Sequence, residues 1–128
     1  TQLLGVDHPY YYCIFLMQGV VLYYDGRYDG AVSKFEAARD LASLVVKEKA
    51  DAMACKNAAS CLNNIGCCCV MLGRRAEAVA SFRAALDGIR NSVGLHRAEA
   101  DGVQANLAAA LRCAFALGAV PRPRSAAP

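Results

Sequence analysis

Seven cysteines in 128 residues, at positions 13, 55, 61, 67, 68, 69 and 113, are the side chains with the widest chemical range in this chain. A thiolate ligates metals, attacks disulfides and senses oxidants. The densest group lies in LNNIGCCCVMLGRRAEAV, Leu62 to Val79, where Cys67, Cys68 and Cys69 are consecutive. On a helix neighbouring residues sit about 100° apart, so these three fan across roughly 200° and do not face one ion. Cys61 and Cys68 share a face, but seven residues of helix span about 10 Å, beyond disulfide reach. No Cys-x-x-Cys pair occurs, and only His8 and His96 could add imidazole ligands. A metal site needs several converging ligands. Free Cys is otherwise a small, often buried hydrophobe. Packing therefore leads over redox sensing or metal binding, and no metal or cofactor is expected. An odd, irregularly spaced set is no disulfide framework and fits a reducing, cytoplasmic setting.

The elements that carry these residues are helical. The chain is 56% hydrophobic, rich in Ala, Leu and Val, and has only four prolines. Its length suits one domain with a real core. The net charge of +3 comes from scattered basic residues, unlike a nucleic-acid footprint clustered on one face. The apolar run from Val103 to Val120 is interrupted by Gln104, Asn106 and Arg112, too polar for a membrane span of about 20 residues. No basic start followed by an apolar run marks a signal peptide. Thr1 in place of Met fits a processed chain or a piece of a larger one.

Internal self-similarity organises the rest. GRYDGAVSKFEAARD, from Gly26, and GRRAEAVASFRAALD, from Gly73, agree at eight of fifteen positions, 47 residues apart. The same register pairs Gly19 with Gly66 and Leu22 with Cys69. Phe15, Gly19, Leu22 and Tyr23 recur at helical spacing, Asp25-Gly26 breaks the helix, and Ala31, Phe35, Ala38 and Leu41 form a second stripe. Gly26 and Gly73 accept the positive φ that ends a helix. Each unit is thus an antiparallel helix hairpin. Asn106-Leu107-Ala108 aligns with Asn64-Ile65-Gly66 and begins a third unit of which only the first helix is present. Five helices follow: an all-α chain with repeats at about 8–48 and 52–91, a half repeat at 97–118, and a Pro-rich tail at 119–128. Asp7 and Pro9 suit a helix start, as cap and first-turn residue, which explains Asp7-His8-Pro9 without chemistry at His8. Arg74-Arg75 lies at a turn and reads as a solvated corner rather than a phosphate site.

At these residues the chain resembles the tetratricopeptide repeat. The small Gly followed by Ala-x-x-x-Phe is matched twice, by Gly19 with Ala31 and Phe35 and by Gly66 with Ala78 and Phe82. Gln18 replaces the family's Leu, Leu22 and Cys69 replace its Tyr, and its closing Pro is missing. The spacing exceeds the usual ~34 residues, which, with Leu4-Gly5-Val6-Asp7-His8-Pro9, is similar to the longer repeats of kinesin light chains. The resemblance covers roughly residues 3 to 118. It implies an α-solenoid over residues 1–118, whose first helices line a concave groove for a peptide or helix of a protein partner. Translated along the repeat, that face holds Leu16, Met17, Val20, Tyr23 and Tyr24, then Asn63, Asn64, Cys67, Val70 and Met71, then Ala105, Asn106, Ala109, Arg112 and Cys113.

Asn64 and Asn106 each offer a donor and an acceptor to a bound peptide, or else bond to the protein's own backbone. Their repeated placement favours the first role. Tyr23 and Tyr24 are groove anchors or core. Leu16 and Val20 stand where members that grip a terminal carboxylate carry Lys and Asn, so the groove is apolar and suits an amphipathic helix. In the last helix Val103, Leu107, Leu111 and Phe115 face the preceding hairpin. Ala105, Ala108, Ala109 and Ala116 leave a small-residue side open to self-association or further repeats. A non-catalytic interaction module, scaffold or adaptor, is the leading expectation. The alternative is a structural or homo-oligomerising piece of a larger repeat assembly, with a cytoskeletal or motor association implied by the resemblance. No Gly-rich phosphate loop or His-Glu-x-x-His supports an enzyme.

Overall fold

A computed structural model describes residues 8–48, 52–90, 97–112 and 123. Five helices and no strand occur among them. These are α1 (His8–Tyr24), α2 (Tyr28–Glu48), α3 (Ala52–Met71), α4 (Arg75–Arg90) and α5 (Arg97–Leu111). Each helix packs on the next in sequence, and α3 also meets α5. The expected Asp7 cap, His96, Cys113, Phe115, Ala116 and all of the tail except Pro123 lie outside the described residues, while Pro9 sits in the first turn of α1.

The two hairpins are closed by the same turn. The N–H of Gly26 donates to Tyr23 O at 3.1 Å and that of Arg27 to Leu22 O at 2.9 Å. Gly73 donates to Val70 O at 3.1 Å and Arg74 to Cys69 O at 2.8 Å. This paired pattern is a Schellman motif, which satisfies carbonyls that a helix end would orphan. It needs a left-handed residue, and Gly26 and Gly73 have φ of 81° and 77°. The following helix begins at once: Ala31 N–H donates to Arg27 O and Ala78 N–H to Arg74 O, each at 3.0 Å. One extra residue in either connection would rotate the second helix and lose the register of its apolar stripe.

The stripes then lock together by size. A Cβ added to Gly19 would stand 2.5 Å from the Phe35 ring, and one added to Gly66 would stand 2.5 Å from the Phe82 ring. Both phenyl rings are fully buried, as are Ala31, Ala38, Ala78 and Ala85 beside them. Each hairpin is therefore a glycine notch on one helix filled by a ring from the other. The notch permits a closer helix approach than any larger residue would allow.

The central helix, α3, has α2, α4 and α5 as neighbours, and α1 reaches it through a bond from Tyr12 Oη to Asn57 O at 3.3 Å. Residues 63 to 69 of α3 are buried without interruption. This explains its composition. A helix covered on several sides has room only for Ala, Cys, Asn and Gly, with Ile65 the largest side chain in that run. Cys67, Cys68 and Cys69 fan around the axis, and all three are buried.

Candidate functional site

The thiols come first, being the groups with the most chemistry. The described cysteines are free: Cys13 is exposed, Cys55 half-buried, and Cys61, Cys67, Cys68 and Cys69 buried. Burial pushes the thiols of Cys61 and Cys68 up to about 12 and those of Cys67 and Cys69 up as well. At Cys68 the neighbouring Cys69 and the Asp29 carboxylate of α2 add to this effect. A protonated, desolvated thiol is a poor nucleophile and a poor ligand. Among the described residues no group of three or more His, Cys, Asp or Glu side chains could hold a metal ion.

The groove residues divide sharply. Leu16, Tyr23, Asn63, Asn64 and Cys67 are buried, which corrects their assignment to an open surface. Leu16 and Tyr23 belong to the core, with burial and the nearby Cys67 and Cys68 thiols pushing the Tyr23 phenol up. Val20, Val70, Met71, Asn106 and Ala109 are half-buried, and Ala105 and Arg112 are exposed. Met17 and Tyr24 are exposed by 59% and 67%. Cys113 lies outside the described residues.

The amides bond to one another. Asn106 Nδ2 donates to Asn63 Oδ1 at 3.1 Å, and Asn63 Nδ2 donates to Asn64 Oδ1 at 3.3 Å. Asn106 Nδ2 also lies 3.8 Å from Cys67 Sγ. This chain ties half-buried Asn106 of α5 to buried Asn63 and Asn64 of α3, where an amide left without partners would be costly. Asn64, fully buried, offers nothing to a peptide on the surface of this structure.

Arg75 also departs from the solvated-corner reading. Its Nε donates to Ala110 O at 2.7 Å, and its other guanidinium nitrogen donates to Leu111 O. The first residue of α4 thus caps the end of α5, where carbonyls lack intrahelical partners. In α5, Val103 is buried and Leu107 partly buried against the core, while Leu111 remains 44% exposed.

The surface feature that the repeat stripe does not announce is on α1. Cys13, Met17, Val21 and Tyr24 follow one another at intervals of four, four and three, and all are exposed. Val21, at 66%, is among the most exposed large apolar residues described. Its signal is present in the sequence: from His8 to Tyr24 there is no Asp, Glu, Lys or Arg. A helix apolar all round is ordinarily covered all round. No described helix is long and apolar enough to cross a membrane. No family model, curated protein or solved structure matches the chain.

Proposed function

We propose that this chain is a non-catalytic protein-interaction module, a scaffold or adaptor built as a tetratricopeptide-like α-solenoid, which takes a peptide or helix of a protein partner. What supports the reading is the doubled unit: the notch of Gly19 with Phe35 and that of Gly66 with Phe82, each behind the same Schellman turn, 47 residues apart. Hairpins of this kind bury their faces on neighbours and leave the outer side chains free for recognition. The buried, protonated thiols fit a packing role in a reducing compartment rather than a catalytic one. With five groove residues buried, recognition falls to Met17, Tyr24, Ala105 and Arg112, flanked by the half-buried Val20, Val70, Met71, Asn106 and Ala109.

The structural-subunit alternative is favoured by one observation, the uncharged exposed face of α1, since large apolar patches mark interaction sites. Selection of peptides from a display library on the full chain, followed by titration of the enriched peptides in solution, tests the proposal. A saturable one-to-one complex weakened by Met17→Glu is expected. Failure to recover any saturable binder overturns the proposal.

A further inference from the structure

Among the described residues, α5 buries less than any other helix. From Ala100 to Arg112 its buried side chains are Val103 and Ala110, with Ala100 and Leu107 partly covered. Asp101, Gln104, Ala105, Leu111 and Arg112 are exposed. α5 carries no aromatic side chain, whereas each hairpin is pinned by a phenyl ring in a glycine notch.

Polar bonds hold α5 at two points. Midway along it, Asn106 Nδ2 donates to Asn63 Oδ1 at 3.1 Å and lies 3.8 Å from Cys67 Sγ. At its C-terminal end, Arg75 of α4 donates to the carbonyls of Ala110 and Leu111. Arg75 is itself exposed, so water competes for these bonds. An element with few buried apolar contacts and part-exposed polar bonds opens at a lower free energy than the core.

What α5 touches on α3 sets one thiol apart from its neighbour. Cys67 and Cys68 both lie near the Tyr23 phenol of α1. Beyond that, Cys67 has Asn106 of α5 beside it, and Cys68 has Asp29 of α2. Cys61 sits against Tyr12 of α1. Lifting α5 therefore uncovers Asn63 and Cys67, whereas reaching Cys68 or Cys61 requires opening a contact of the hairpins.

We infer that α5 is a clasp: it opens from α3 and α4 as one unit while both hairpins stay folded, and its opening unmasks Cys67 but not Cys68. The inference goes beyond the interaction-module reading and does not depend on it. With the clasp open, an alkylating electrophile reaches Cys67 Sγ. A carbon–sulfur bond forms, the leaving group departs with its electron pair, and the thiol's proton passes to water. The adduct then stands where Asn106 must return, so a modified chain stays open.

The test adds iodoacetamide to the full native chain in reductant-free buffer for graded times. Each adduct is located by peptide fragmentation, and amide hydrogen exchange is followed in parallel. Cys67 should label before Cys61 and Cys68, with a dependence on low urea that matches exchange of the α5 amides. Arg75→Ala should speed both about tenfold and leave Cys68 unchanged, while Arg83→Ala, on the exposed side of α4, should change neither. Chains labelled at Cys67 should lose amide protection in α5 and keep it in α1 to α4. Labelling of Cys67 and Cys68 in step, whether at once or after urea unfolds the chain, overturns the inference. So does equal acceleration of both thiols by Arg75→Ala, which makes Arg75 a general stabiliser. Fast labelling at Cys67 with the α5 amides still protected overturns it too, because the thiol is then reached by another route.

Discussion

The helices α1 and α3 are the same element in two surroundings. Each ends in a Schellman turn at a left-handed glycine, and each carries a glycine notch filled by a phenyl ring 16 residues on. Their inward faces are alike, with Tyr12, Leu16 and Gly19 buried in one and Ala59, Asn63 and Gly66 buried in the other. They part most at two registers. There α3 holds buried Asn64 and Cys68 against its neighbours, and α1 holds exposed Met17 and Val21. The difference separates two constraints on a repeat helix. The hairpin contact is written into the unit itself and recurs unchanged, whereas the lateral face takes its character from whatever lies next to it. Where a neighbour is close, side chains shrink to Cys, Asn and Gly; where no described residue covers the face, they are larger and open.

Paired substitutions at equivalent positions are the strongest way to break this comparison. Cys68→Glu places a charge in a fully buried site and should cost about 3–5 kcal/mol, enough to unfold a marginal domain. Val21→Glu, in the same register, should stay within about 0.5 kcal/mol of wild type. Urea titrations followed by circular dichroism read both. Similar losses would mean that the two faces do not differ in coverage.

The glycine notches sharpen the likeness. Gly19→Ala and Gly66→Ala each put a methyl carbon 2.5 Å from a buried ring, so each should lose about 1–3 kcal/mol by overpacking. The account of a repeated hairpin requires losses of similar size at both sites. A neutral substitution at either one would show that the rings do not fill the notches as described.

Alkaline titration isolates the covered side. Cys61 and Cys68 are held up to about 12 against an ordinary 9.0. Between those values the unfolded chain has released protons that the native state retains, so stability falls as pH rises. Below about pH 9 that contribution is complete. Above it each thiol contributes a loss of up to about 1.4 kcal/mol per pH unit. Tyr12 and Tyr23, whose phenols burial also pushes up from 10.0, act in the same direction at higher pH. Urea midpoints measured in reductant from pH 8 upward should decline beyond pH 9, and Cys68→Ala should make the decline shallower. A flat profile would contradict the burial of these thiols.

A modest loss belongs to the amide chain. Asn106→Ala removes the bond to Asn63 Oδ1 and should cost about 1 kcal/mol, with faster amide exchange in α5 than in α3.

The hairpins were legible because their determinants are local. Intervals of three and four residues give a face, Asp25-Gly26 and Gly73 give the breaks, and the offset of 47 pairs Phe35 with Phe82. The lateral contacts were not legible to the same degree. Asn63 and Asn106 meet across 43 residues, and Arg75 reaches the end of α5 across 35. Nothing in the local pattern separates an amide aimed at a partner from one aimed at a neighbouring helix. Translating a face along the repeat puts Leu16 and Tyr23 in the groove only if the whole face stays open; in α1 part of it turns into the core. Val21 stands outside the stripe of Phe15, Gly19, Leu22 and Tyr23, which accounts for the helix without it. The missing charge on the opposite side was the signal.

The most direct test of the central claim, that α1 and α3 share one register and differ in lateral cover, is thiol labelling of the V21C variant. Iodoacetamide is added to the native protein in reductant-free buffer for graded times, and each site is read by peptide mass spectrometry. The introduced thiol should label as readily as Cys13, while Cys68, its counterpart 47 residues on, stays unlabelled until urea unfolds the chain. Equal protection at the two positions in a monomer, or equal reactivity at both, would contradict the claim.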